Sequence, residues 1–148
     1  DAVALQPDGK IVVVGDATNA VVHSFGVARY NPEGSLDTSF SGDGLVMMHF
    51  GGPMRGYDAA LQPNGKIVVA GWWLNFDGPV PHNDFALARV NADGILDTSF
   101  GGDGLVITDF VGGGDECAGI VLQPDGRIVA IGYMDNGMDN DFALARYK

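Results

Sequence analysis

Oxygen-bearing side chains dominate the chemistry open to this chain. Nineteen Asp and Glu stand against eight Lys and Arg, a formal net charge of −11. The segment Asp37-Thr38-Ser39-Phe40-Ser41-Gly42-Asp43-Gly44 puts carboxylates, hydroxyls and backbone carbonyls on a glycine-flexed loop. A copy runs from Asp97 to Gly104, with Asp103 in the place of Asp43. Calcium takes about 6–8 oxygens at about 2.3–2.6 Å, so Asp37, Asp43, Asp97 and Asp103 are candidate Ca2+ ligands. The spacing matches neither an EF-hand loop nor a nonapeptide calcium repeat. Local capping of turns by Asp accounts for the same residues. Asp135, Asn136, Asp139, Asn140 and Asp141 form a second oxygen-rich cluster, open to the same two readings.

Six of the eight basic residues recur at fixed places: Lys10, Lys66 and Arg127, and Arg29, Arg89 and Arg146. They could form a cationic ring for an anionic ligand. The surplus of acid favours structural ion pairs instead, with Arg29, Arg89 and Arg146 buried and Asp37 and Asp97 the leading partners. Trp72 and Trp73 are adjacent, so on a strand they point to opposite faces. One could be a sugar-stacking platform or an aromatic plug, beside a loop carrying Asn75, Asp77 and His82. His23, His49 and His82 show no ligand spacing, and there is no Gly-x-Ser-x-Gly, phosphate loop or Cys–His pair of any specificity. Catalysis therefore has little support. A glycosidase-type carboxylate pair is not located by sequence, since it is defined by a separation in space.

These residues sit in a chain that repeats itself. Leu5-Gln6-Pro7-Asp8-Gly9-Lys10-Ile11-Val12 returns from Leu61 to Val68 and from Leu122 to Val129, at offsets of 56 and 61 residues. Phe25-Gly26-Val27-Ala28-Arg29-Tyr30 returns as Phe85-Ala86-Leu87-Ala88-Arg89-Val90 and as Phe142-Ala143-Leu144-Ala145-Arg146-Tyr147. The string from Asn31 to Val46 recurs once, 60 residues on. The 148 residues thus form one repeat domain, with copies at about 1–57, 58–118 and 119–148, the last partial.

Each full copy reads as four strands. Ala2 to Gln6 and Lys10 to Gly15 flank a Pro-Asp-Gly turn. Ser24 to Tyr30 and Leu45 to Phe50 follow. With 23 glycines and no helical apolar period, the chain is all-β. In Phe85-Ala86-Leu87-Ala88-Arg89, one face is large and the other small, and both are mostly apolar. A sheet wetted on one side alternates apolar with polar, so this strand, like Lys66 to Gly71, expects cover on both faces. Four-stranded units stacked on both sides make a β-propeller-like array; a β-sandwich is the alternative. The long Asn31–Gly44 connection suits a crossing between blades. On that reading Leu45–Phe50 opens the second blade, giving blades of three, four and four strands, with the first incomplete.

The Leu-Gln-Pro-Asp-Gly-Lys-Ile-Val, Phe-Ala-Leu-Ala-Arg-Tyr and Leu-Asp-Thr-Ser-Phe-Gly-Gly-Asp-Gly strings resemble the delta-60 repeat, a bacterial propeller-type family of unknown function. The resemblance covers nearly the whole chain and implies a long, exported or surface-associated protein with more copies. It supplies no catalytic residues. The expectation is a non-enzymatic extracellular or cell-surface scaffold, binding through variable rim loops that include Trp72, Trp73, Asn75, Asp77, His82, Asp135, Asn136 and Asp139. A carbohydrate-binding propeller is the alternative, and a polysaccharide-acting enzyme a more distant one. No cofactor is expected, Ca2+ aside. The acidic pI argues against nucleic acid, and no apolar run approaches the ~20 residues of a membrane helix. Open blade flanks imply partners: a second copy, as a dimer or an open head-to-tail assembly, or further repeats of a longer chain.

Overall fold

The computed structural model describes residues 1–18, 22–110 and 113–148. Among them are eleven strands and no helix. The strands are β1 (Ala2–Leu5), β2 (Ile11–Thr18), β3 (His23–Tyr30), β4 (Leu45–Met48), β5 (Met54–Leu61), β6 (Ile67–Asn75), β7 (His82–Val90), β8 (Leu105–Thr108), β9 (Asp115–Leu122), β10 (Ile128–Asp135) and β11 (Asn140–Tyr147). They form three antiparallel sheets, β1-β2-β3-β4, β5-β6-β7-β8 and β9-β10-β11.

The Pro-Asp/Asn-Gly turns close the first hairpin of each sheet. Gly9, Gly65 and Gly126 take φ of 85°, 82° and 82°, the left-handed corner that a Cβ resists. Asp8 and Asn64 cap the turn by accepting the N–H of Lys10 and Lys66, each at 3.2 Å.

The division into blades differs from the sequence expectation. β4 pairs with β3, from Phe25↔Met48 to Ala28↔Leu45, and so closes the first sheet rather than opening the second. The Asn31–Gly44 connection does not cross over because it is pinned to the end of β3. Asp37 N–H donates to Arg29 O at 2.9 Å, Arg29 N–H donates to Gly44 O at 2.9 Å, and Tyr30 bridges Leu36. The chain is returned as the antiparallel neighbour of the strand it left. The sheets therefore hold four, four and three strands, and the edge without its fourth strand belongs to β11, not to the first sheet.

The sheets stack with the second in the middle, which excludes a two-sheet sandwich. Val68, Ala70, Phe85 and Leu87 face one neighbour; Ile67, Val69, Ala86 and Ala88 face the other. All are fully buried. The packing has a direction. The large face of β3, Phe25 and Val27, shares a cluster with the small face of β7, Ala86 and Ala88. The large face of β7, Phe85 and Leu87, shares the next with Ala143 of β11. Hydrogen bonds cross the junctions: Arg29 Nη1 donates to Ala92 O at 2.6 Å, and Ile120 N–H to Asp58 Oδ2 at 2.8 Å.

Two flanks stay open. Phe142 is 72% exposed where its counterpart Phe85 is fully buried, and Leu144 beside it is also exposed. On the opposite flank a groove of about 570 Å³ runs over the small face of the first sheet, lined by Gly15, Ala17, Gly26, Ala28, Leu45 and Met47 among others.

Candidate functional site

The repeated acids are committed to a clamp. Asp37 Oδ2 accepts Arg29 Nε–H at 2.7 Å and lies 3.0 Å from Lys10 Nζ. Its Oδ1 accepts the Ser39 hydroxyl at 2.6 Å and the Ser39 N–H at 3.1 Å. The second repeat reproduces this. Asp97 Oδ2 takes Arg89 Nε at 2.6 Å and Lys66 Nζ at 2.7 Å, and Oδ1 takes the Ser99 hydroxyl at 2.6 Å. Each guanidinium lies 4.4 Å from a ring centroid, Arg29 over Phe40 and Arg89 over Phe100. The Ser39 and Lys10 bonds hold the Asp37 carboxyl well below its usual range. Burial alone would raise Asp97, but Lys66, Ser99 and Arg89 outweigh it and bring it equally low. A cation at either loop would have to displace a lysine and an arginine. Asp43 and Asp103 cap the turns that follow, accepting Leu45 N–H at 2.9 Å and Leu105 N–H at 3.0 Å.

The third arginine departs from expectation. Arg146 is exposed, because its repeat has no counterpart of Asp37 or Asp97 within this sequence. Arg127, which stands where Lys10 and Lys66 do, pairs with Asp125 at 2.6 Å instead.

The hairpins β2–β3, β6–β7 and β10–β11 carry the rim residues; 19–21 of the first lie outside the described residues. Both tryptophans are engaged internally. Trp72 Nε1 donates to Tyr57 Oη at 3.0 Å, and Trp73 packs against the core between the first two sheets. The acids and amides of the tips cap their own turns. Asn75 Oδ1 accepts Asp77 N–H at 2.7 Å, and Asp135 Oδ1 accepts Gly137 N–H at 2.8 Å. Asn136 Nδ2 donates to Asp139 Oδ1 at 3.0 Å and Asp141 Oδ2 at 2.6 Å. The tips also expose apolar side chains, Phe76, Val80 and Met138, beside Asp77, Asn136 and Asp139.

The structure adds a group that sequence reasoning missed. A cavity of about 380 Å³ opens between the β6–β7 hairpin and the start of the third sheet, lined by Leu74, His82, Asn83, Gly113, Gly114 and Asp135 among others. At its edge, ligand atoms of His82, Asp84 and Asp109 lie within 4.8 Å of one another. His82 Nδ1 is 3.1 Å from Val80 O, and His82 Nε2 is 3.6 Å from Asp84 Oδ1. Asp84 is fully buried; its Oδ2 accepts Asn75 Nδ2 at 2.9 Å. Asp115, also fully buried, accepts Phe110 N–H at 2.7 Å through Oδ2. His82 Nε2, Asp84 Oδ1 and Asp115 Oδ1 are buried without a hydrogen-bond partner among the described residues. Burial pushes both buried carboxyls up; Asn75 opposes this at Asp84 and the Phe110 N–H at Asp115, while the charge of Asp109 raises both. Next to this group, Glu116 accepts Asn83 Nδ2 at 2.9 Å, and burial together with Glu116 pushes the Tyr133 hydroxyl up to about 12.

A family model described as a β-propeller domain of unknown function, DUF5122, matches residues 6–40, 62–100 and 123–148. The chain belongs to this family. No curated protein matches it. In DUF5122 terms the matched segments end at Phe40 and Phe100, so they contain the Arg–Asp clamp with its Lys and Ser partners. Asp109 and Asp115 fall between matched segments, while His82 and Asp84 fall inside one. The two clamps thus lie within the matched segments, and half of the His82 group does not. Comparing the copies position by position is the signal that would have found it: Asp84 stands where the first copy has Ser24, and Asp115 where it has Met54.

Proposed function

We propose that the chain is a non-enzymatic extracellular or cell-surface module, a scaffold that binds through its rim hairpins and builds by flank-to-flank contact with a second copy. The observation that carries this is the contrast between sheets that repeat strand for strand and hairpin tips that differ in length and composition. Variable loops on a rigid frame are where binding usually sits. The exposed Phe76, Val80 and Met138 favour a protein surface as partner, and the internal engagement of Trp72 and Trp73 weakens the sugar-stacking alternative. The likeness of the strings to the delta-60 repeat, and the acidic, nearly cysteine-free composition, support export.

The flanks carry the second half of the proposal. Inside the chain, a Phe/Leu or Phe/Val face always meets a Gly/Ala face. The exposed Phe142 and Leu144 present the first kind, and the groove over Gly26 and Ala28 the second. Each large side chain buried there contributes roughly 1.5–3 kcal/mol before ordering costs. Two copies joined head to tail at both flanks close a six-bladed ring with two-fold symmetry.

Replacing 76–81 by Asn-Gly tests the division between scaffold and rim. Asn75 pairs directly with His82, so a two-residue turn closes the hairpin in register. The expected result is a melting temperature within a few degrees of the native chain and unchanged association. Loss of cooperative unfolding would make the hairpin part of the frame and contradict the reading. A glycan array on the native chain separates the alternative: saturable sugar binding, lost in the Asn-Gly variant, would replace the scaffold reading with a lectin.

A further inference from the structure

We propose that His82, Asp84 and Asp109 form a divalent-cation site at the junction of the second and third sheets, with zinc the best-matched ion. This stands independently of the scaffold reading.

Three features of the geometry point to a cation. First, His82 Nε2 and Asp84 Oδ1 are buried with no hydrogen-bond partner among the described residues. Val80 O takes the Nδ1–H of His82, and Nε2 faces Asp84 Oδ1 at 3.6 Å. Fixing one ring nitrogen on a backbone carbonyl is the usual way a ligating histidine is oriented. An unpaired buried carboxylate is costly.

Second, the buried carboxylate is itself oriented from behind. Asn75 holds Asp84 by its other oxygen, which keeps Oδ1 for something else. The 3.6 Å between His82 Nε2 and Asp84 Oδ1 suits two ligands of one tetrahedral ion, whose edges are about 3.4 Å with bonds of about 2.1 Å. The Asp109 carboxylate lies within 4.8 Å of a ligand atom of both His82 and Asp84.

Third, the fold does not need these residues. The equivalent junction between the first and second sheets has Val22, Ser24, His49 and Met54 in the same repeat positions. That junction carries no carboxylate at these positions, its one imidazole being His49, so the acids of the second junction are a local addition to a frame that closes without them. An imidazole with carboxylates suits zinc better than calcium, which prefers an all-oxygen shell.

The test uses the native chain, stripped with a chelator and titrated with zinc chloride against a chromogenic competitor. One zinc per chain, with a raised melting temperature, is the expected result. Asp109→Asn removes one ligand and should weaken zinc by more than about tenfold. His82→Val with Asp84→Ser restores the first junction's residues and should abolish stoichiometric uptake. Absence of saturable uptake by the native chain would overturn the proposal, leaving His82 and Asp84 a simple ion pair. Uptake unchanged in Asp109→Asn would overturn it too, placing the zinc elsewhere. Displacement of zinc by an equal concentration of calcium would refute the choice of ion.

Discussion

Asp97→Ala is expected to lower the unfolding free energy by roughly 3 kcal/mol, at the lower end of the 3–5 kcal/mol for breaking a buried pair. The side chains of Asp97 and Arg89 are 7% and 12% exposed, so the guanidinium would be left nearly dry without its carboxylate. Lys66 is 25% exposed and recovers water more easily, which is why the lower end applies. The Ser99 hydroxyl and N–H lose their acceptor as well. Urea denaturation measures the loss directly. Adding Arg89→Met to Asp97→Ala should restore part of it, since the penalty lies in the stranded charge. The pH dependence has a definite sign. Asp37 and Asp97 ionise more easily folded than unfolded, so their stabilisation is present above the unfolded carboxyl pKa of about 3.9. It is lost as pH falls from there toward their depressed folded values. Asp84 and Asp115 act the other way, because their folded pKa values are raised. Their contribution is present at acid pH and lost as pH rises through those values. Asp97→Ala should therefore flatten the acid limb of the stability curve.

Gly71→Ala should be about as damaging, by roughly 3 kcal/mol, for a different reason. An added Cβ at Gly71 would overlap the carbonyl oxygen of Arg55, a backbone atom that has no room to yield. The contact arises because β5 bulges between Gly56 and Asp58 opposite β6. β9 bulges against β10 at the matching place, where Gly132 meets Glu116 O in the same way. Gly114→Ala is the control. Among the described residues nothing lies within 4 Å of its Cβ position, so a change within about 0.5 kcal/mol is expected from thermal unfolding.

Much of the frame was legible because its rules are local. Pro-Asp-Gly or Pro-Asn-Gly fixed each first hairpin, and the two apolar faces of Phe85-Ala86-Leu87-Ala88 announced cover on both sides. Arg29 and Asp37 were matched by their shared period. Strand partnership was not legible. A 14-residue connection from Asn31 to Gly44 reads equally as a crossover or as a fold-back, and the choice rests on the bonds that tie Asp37 and Gly44 to Arg29. Arg146 misled because the strand repeats while its acid does not. The His82 group was hidden for a spatial reason. Its members come from β7, from the segment after β8 and from the start of β9, 33 residues from first to last. No motif spacing describes them, and they converge only because β9 packs against β7.

Sedimentation velocity across micromolar concentrations, on the native chain and on Phe142→Asp with Leu144→Asp, tests flank-to-flank packing most directly. The native chain should sediment as a dimer or larger. The double variant, changed only at side chains that are already exposed, should sediment as a folded monomer, with an association constant lower by more than about a hundredfold, or about 2.7 kcal/mol. A native chain that remains a stable monomer at every concentration, indistinguishable from the variant, would contradict the account.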